Sequence, residues 1–328
     1  MPAEWAPHER CWMAWPCRDA LWGDGLEPAR RAYAAVARAI AGFEAVTMLA
    51  NAEDLSAAAT LCGTEVDCRA MPLDDSWMRD FGPSFVIDGQ GGIAGVDWRF
   101  NAWGEKFHPY DRDAALAERL LVDIGIQRFS APLVLEGGSI HVDGEGTLLT
   151  SEECLLAPNR NPDLGRADIE DLLRRYLGVK AFVWLGHGLE DDDTDGHVDN
   201  IACFVRPGVV MTVVCDDPAD ANHHILKDNL ARLNKAKDAR GRTLEVIELP
   251  LPRERRYLGS QRLALSYVNY YIANGGVVMP SFGDSQDEAA RVILERAFPG
   301  RRVVQVPVSD VLVGGGGIHC ITQQQPRP

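Results

Sequence analysis

Apolar residues recur three and four positions apart in six stretches of the chain: 29–43, 114–124, 168–177, 220–237, 263–273 and 287–298. That spacing predicts helices with one buried face. Between them lie apolar or alternating runs at 45–49, 84–87, 92–98, 144–150, 181–185, 201–214, 244–249, 276–280 and 302–308, which read as strands. The step Arg206-Pro207-Gly208 inside one run marks a hairpin turn. Strands and helices alternate from end to end, so the class is α/β. Paired strands separated by single helices fit repeated ββαβ units better than a plain parallel sheet. No low-complexity linker divides the chain, and 1–328 reads as one domain. Glycine also precedes histidine at the entry to three apolar stretches, at Gly138/His141, Gly196/His197 and Gly316/His319, a faint internal echo of a repeated unit.

Composition narrows the function. A net charge of −15 disfavours nucleic acid, whose phosphates require clustered Lys and Arg. No run approaches the ~18 consecutive apolar residues of a membrane span, and the N-terminal residues lack a secretion signal. Eight cysteines without a C-x-x-C pair read as reduced thiols of a cytoplasmic protein.

Four segments could carry chemistry. Cys320 follows Gly314-Gly-Gly-Gly317-Ile-His319. Four glycines in a row cost backbone entropy, so something must approach the chain closely just before this thiol. A neighbouring His or a loop rich in free amides can turn such a thiol into a nucleophile; a buried structural Cys beside a flexible loop is the plainer alternative. The run Glu190–Asn200 holds four aspartates ahead of Gly196-His197-Val198-Asp199. Asp191, Asp193, Asp195 and Gly196 match the first half of a calcium loop, but Ala202 stands at the twelfth position, where Glu is required. Read as extended chain, His197 and Asp199 face one side. They then suit an acid/base and a carboxylate able to grip a guanidinium by two parallel hydrogen bonds. A solvated acidic turn would explain the aspartates but not the Gly-His-Val-Asp that follows. Asp80 sits at the turn before Phe81-Gly82-Pro83, with Trp77 placed to flank an alkyl chain or a cation; an ordinary Arg79–Asp80 surface turn is equally compatible. Glu136, before Gly137-Gly138, either orients a histidine or merely ends a strand.

Taken in order, Trp77-Met-Arg-Asp-Phe-Gly-Pro83, Val96-Asp-Trp-Arg-Phe-Asn-Ala-Trp-Gly104, Leu135-Glu-Gly-Gly-Ser-Ile-His-Val-Asp-Gly144, Leu148-Leu-Thr-Ser-Glu-Glu-Cys-Leu-Leu156, Gly196-His-Val-Asp199 and Ile318-His-Cys-Ile-Thr-Gln-Gln324 resemble the agmatine deiminase family, within the guanidine-modifying superfamily. The resemblance spans nearly the whole chain. It implies a five-fold pseudo-symmetric α/β propeller with its site on the axis. It implies Cys320 as nucleophile, His197 as acid/base and Glu136 as the partner that holds His197. Asp80 and Asp199 become the guanidinium-binding carboxylates and Trp77 a wall for the substrate chain. The implied substrate is a small cationic guanidine, with no metal or organic cofactor, no nucleic acid and no membrane; a homo-oligomer is compatible. Two features depart from the family pattern: Asp195 stands where Asn is expected, adding a charge beside His197, and the segment 251–260 is short. Arginine or a peptidyl arginine are the alternative substrates. A metal-dependent hydrolase built on the run Asp191–Asp199 is the rival chemistry.

Overall fold

A computed structural model describes residues 1–328. Five sheets repeat one order of strands: an antiparallel pair, then a third strand added parallel to the second. Ser84–Ile87, Ile93–Arg99 and Gln127–Val134 form one. Ile140–Val142, Thr147–Ser151 and Ala181–Leu185 form the next. Ala202–Arg206, Val209–Val214 and Glu245–Pro250 follow, then Tyr271–Ala273, Gly276–Ser281 and Arg302–Pro307. The remaining sheet is assembled from both ends of the chain. Thr322–Pro326 pairs antiparallel with His8–Ala14, which lies parallel to Ala45–Ala50, and Val66–Ala70 adds an extra edge.

In each unit a helix carries the chain from the second strand to the third, as a parallel connection requires. The helix Leu26–Ala41 buries Ala29, Ala32, Tyr33, Val36, Ala37 and Ile40 along one stripe. Arg166–Leu177 buries Ile169, Leu173 and Leu177; it starts where Asp168 accepts from the Gly165 amide and stops at Gly178, whose φ of 71° suits a left-handed terminal residue. Middle strands such as Val209–Val214 are almost continuously apolar because neighbours cover both faces. The hairpin expected at 206–208 is present, with Gly208 at φ 77°. First strands of different units touch, Ile140–Val142 against Ala202–Arg206 and Thr322–Pro326 against Ser84–Ile87. The repeated units expected from the sequence are therefore present, and their first strands line the interior.

The strands His8–Ala14, Val66–Ala70, Gln127–Val134, Ile140–Val142 and Thr322–Pro326 and the helix Leu55–Cys62 are additional to those expected, and one expected element differs. The stretch 263–273 is not a helix: it runs as irregular chain and a turn into the short strand Tyr271–Ala273. Leu265 to Tyr271 are all buried, so its apolar spacing reflects burial on every side rather than one helical face. Its tyrosines and valine also favour extended backbone.

Candidate active site

Each unit presents a turn immediately before its first strand, and the five turns converge. Helix Met78–Phe81 brings Asp80, and the single 3₁₀ turn Gly137–Ser139 follows Glu136. Val198–Asn200 brings Asp199 with His197 just ahead of it. The turn before Tyr271 brings Asn269, and the turn before Thr322 brings Cys320. Asp80, Glu136, His197, Asp199, Asn269 and Cys320 are all buried.

Gly138 lies at the centre of this convergence. A β-carbon there would stand 2.6 Å from His197 Nδ1 and 2.9 Å from both Asp199 Oδ2 and Asp80 Oδ1, so no side chain fits. Its amide donates to Asp80 Oδ1 at 3.0 Å, and Trp103 Nε1 donates to Asp80 Oδ2 at 2.9 Å. Trp103 reaches that position from a left-handed stretch in which Ala102, Trp103, Gly104 and Glu105 all have positive φ. Non-glycine residues pay for that conformation in strain, which concentrates at functional sites.

His197 lies between two carboxylates: Nδ1 is 3.7 Å from Asp80 Oδ1 and Nε2 is 3.6 Å from Glu136 Oε2. Both distances exceed a hydrogen bond, and neither ring nitrogen has a partner. Burial opposes charge on this imidazole, but Asp80, Cys154 and Glu136 outweigh it and hold the pKa well above the ordinary histidine value. Asp80 is pushed up to about 6, mainly by burial, with Asp199 and Glu136 adding repulsion against the help of His197 and Trp103. Burial likewise raises the Cys320 thiol well above its usual range, and Asp199 and Asp80 push it further. Cys320 Sγ lies 3.2 Å from Asn269 Nδ2 and 3.6 Å from Asp199 Oδ2. Apart from His197 and Asn269, the groups of the site are negative or can become so, the electrostatic complement of a small cation.

A pocket partly open to solvent adjoins these groups. Cys320 and Asp80 form its base, Trp77, Trp103, Leu21 and Phe107 its walls, and Asp193 lies along it. Trp77 stacks on Trp22, with ring centroids 6.0 Å apart. The four glycines explain themselves here: Gly315 has a φ of 97°, and β-carbons at Gly314, Gly316 and Gly317 would press against Trp22, Trp77 and Asn269 at 2.3, 2.5 and 2.4 Å.

The residues read from the sequence, Cys320, His197, Glu136, Asp80, Asp199 and Trp77, thus meet at one place. Several neighbours gave no signal in the sequence. Arg160 is fully buried; its Nε donates to Glu136 Oε1 at 2.7 Å and its Nη1 to Asp195 Oδ2 at 2.7 Å. Lys106 also donates to Asp195, at 2.6 Å. The extra charge of Asp195 is therefore neutralised by two cations and does not act on His197 as expected. Asn269 and Trp103 were missed as well, although the rule that each unit offers the turn before its first strand would have found Asn269, and His319 was read only as the neighbour of the Cys320 thiol.

The rival metal site on the acidic run does not form. Asp191 accepts from the Arg262 amide, Asp192 from Thr194 and Asn200, and Asp195 from Arg160 and Lys106. These carboxylates diverge to separate partners instead of facing a common centre, as a metal requires.

Comparisons agree with this geometry. The family model for Porphyromonas-type peptidyl-arginine deiminase matches residues 1–326. A protein of Legionella pneumophila (strain Paris) is 51% identical over 330 residues, covering 100% of this chain and 95% of the relative. The agmatine deiminase of Stutzerimonas stutzeri (strain A1501) is 50% identical over 351 residues, covering 100% and 95%. Among solved structures, the agmatine deiminase of Enterococcus faecalis superposes with a TM-score of 0.97 at 37% identity, covering 100% of this chain and 95% of that one. The chain belongs to the Porphyromonas-type peptidyl-arginine deiminase family.

Proposed function

We propose that this enzyme hydrolyses the guanidinium group of agmatine, giving N-carbamoylputrescine and ammonia, with Cys320 as nucleophile. One observation carries the choice of substrate: the pocket contains Asp75, Asp80 and Asp193 but no Arg or Lys. Asp75 is occupied by Arg18 at 2.7 Å, whereas Asp193 pairs with no cation through its carboxylate. Agmatine is cationic at both ends, so one end meets Asp80 and Asp199 and the other Asp193. Arginine would set its α-carboxylate against the Asp193 carboxylate, and the neighbouring Lys106 is already engaged by the Asp193 carbonyl at 2.7 Å and by Asp195 at 2.6 Å. Arg79 is turned away toward Glu4, and Arg99 is exposed outside the pocket. The relatives named as agmatine deiminases support the same reading.

In this mechanism Asp80 and Asp199 hold two edges of the planar cation and set its central carbon over Cys320. The arriving positive charge offsets the repulsion that keeps the thiol protonated, and so favours the thiolate, whose proton passes to solvent through the open pocket. The thiolate sulfur bonds to the guanidinium carbon. His197, an imidazolium in the resting site, gives its proton to the departing nitrogen, and ammonia leaves. An S-alkylthiouronium remains on Cys320. The now neutral His197 takes a proton from water, whose oxygen bonds to the same carbon; collapse of that adduct expels the thiolate and releases the ureido product. Glu136 shares its charge with Arg160 and stands 3.6 Å from His197, which leaves the imidazole free to give up its proton.

The test is ammonia release from agmatine, arginine, methylated arginines and a peptidyl arginine. Agmatine is expected to be preferred by orders of magnitude in kcat/KM; a preference for any of the others overturns the assignment. Asp193→Asn removes one charge-assisted contact, worth ~1.5–3 kcal/mol, so KM for agmatine rises about tenfold or more while kcat moves less. An unchanged KM removes Asp193 from amine recognition.

The pH dependence follows from Asp80. The clamp needs this carboxylate ionised, so kcat/KM falls as pH drops through about 6. The sign for stability is opposite. The folded pKa lies above the reference value of 3.8, so the folded state binds the extra proton and loses stability as pH rises through the window between about 4 and 6. A profile flat from pH 7 to 4 would contradict the role given to Asp80.

A further inference from the structure

Behind the carboxylate of Asp199 runs a buried chain of charge that the mechanism above does not use. His319 Nδ1 is 2.8 Å from Asp199 Oδ2, and His319 Nε2 is 2.7 Å from Glu4 Oε1. All three side chains are buried. An imidazole whose two nitrogens each face a carboxylate carries both protons and donates twice. The backbone is fixed as well: the His319 amide donates to Asn269 Oδ1 at 2.9 Å, and Arg79 Nε donates to the His319 carbonyl at 3.3 Å.

Glu4, His141 and His319 are close enough together to suggest a metal site, but their hydrogen bonds argue otherwise. His141 Nδ1 accepts the Phe204 amide at 3.2 Å, so its proton sits on Nε2, which faces Glu4 Oε2 at 3.5 Å. Ligation through Nε2 would require that proton to be lost from an imidazole already using its other lone pair. A hydrogen-bonded relay satisfies every group without it.

The consequence falls on Asp199. Its Oδ2 is held by His319, and its Oδ1 is buried without any partner. We propose that Glu4 and His319 are positioning residues: Glu4 holds the imidazole, and the imidazole pins Asp199 Oδ2, 3.6 Å from Cys320 Sγ, so that the unpartnered Oδ1 is left to receive the substrate guanidinium. This rests on the functional reading given above. The two carboxylates of the clamp are thereby made unequal. Burial raises both, but His319, followed by His197 and Arg79, brings Asp199 below the usual carboxylate range, while Asp80, which faces His197 only at 3.7 Å and is repelled by Asp199 and Glu136, stays raised.

His319→Gln, with Glu4→Gln as an isosteric second variant, tests the relay through kcat and KM for agmatine across pH. The groups facing His319 are Glu4 from the N-terminal segment, Asp199 and Arg79 from the turns ahead of two other units, and His141 from strand Ile140–Val142. In His319→Gln, KM rises about tenfold or more, as loss of a charge-assisted bond implies. kcat falls less, and the acid limb of kcat/KM moves up by about one pH unit because Asp199 now protonates with Asp80. Glu4→Gln shifts both in the same direction by less. Folded variants with wild-type KM and acid limb overturn the proposal, as does a fall in kcat with neither moved. A second readout does not depend on turnover. In ¹⁵N-histidine-labelled wild-type protein, His319 gives two downfield ring N–H signals that vanish in His319→Gln; one signal or none refutes the double bridge. A wild-type protein inactive on every guanidine, yet with both signals, would remove the functional reading and leave the bridge standing.

Discussion

Replacing Cys320 by alanine abolishes ammonia release from agmatine, by about 10⁴-fold or more on the scale of a lost nucleophile, and leaves the fold intact. The fold survives because the thiol is buried beside Asp199 and Asp80, where it contributes no ion pair and its ionised form is repelled. Serine at the same position is also inactive, since a hydroxyl ionises far less readily than a thiol and no base lies closer to it than Asp199. Cys320→Ser should bind agmatine without consuming it, measurable by calorimetry alongside an ammonia assay. Turnover within tenfold of wild type in either variant would end the assignment of a covalent mechanism.

The second large effect is on stability. Arg160→Met leaves Glu136, fully buried, with only His197 at 3.6 Å as a counter-charge and strips Asp195 of one of its two cations. Breaking one side of a buried pair costs about 3–5 kcal/mol, because a desolvated charge remains. Arg160→Lys does not restore this. Arg160 contacts Glu136, Asp195, Asn159 and the Thr194 carbonyl through a planar fork that a single ammonium cannot reproduce. Pairing Arg160→Met with Glu136→Gln returns much of the loss by removing the orphaned charge. Urea unfolding measures each step; a loss below ~1 kcal/mol in Arg160→Met would mean that Glu136 is not held as an ion.

The contrast between these residues says what a sequence can disclose. Cys320, His197, Asp199, Asp80 and Glu136 were legible because each stands beside glycines or a turn whose composition is costly without a reason, and because those segments together resemble a known family. Arg160 lies in an ordinary polar loop, Leu156-Ala-Pro-Asn-Arg160-Asn-Pro, where nothing local separates a solvated arginine from a buried one. The strand Thr322–Pro326 was invisible for the complementary reason: Thr-Gln-Gln-Gln-Pro has no apolar period, yet Thr322, Gln323 and Gln324 are buried. The stretch 263–273 failed in the opposite sense, since a segment surrounded by protein loses the polar face that distinguishes helix from strand. Periodicity thus misleads where a segment is enclosed on every side, as at 265–271, the stretch that carries Asn269.

The sheet sewn from both ends of the chain ties Cys320 to the first strand. Thr322–Pro326 pairs antiparallel with His8–Ala14, and Cys320 precedes that pairing by two residues. Fraying of this closure would open a sheet edge and displace the thiol together, so one set of backbone hydrogen bonds both completes the sheet and anchors Cys320.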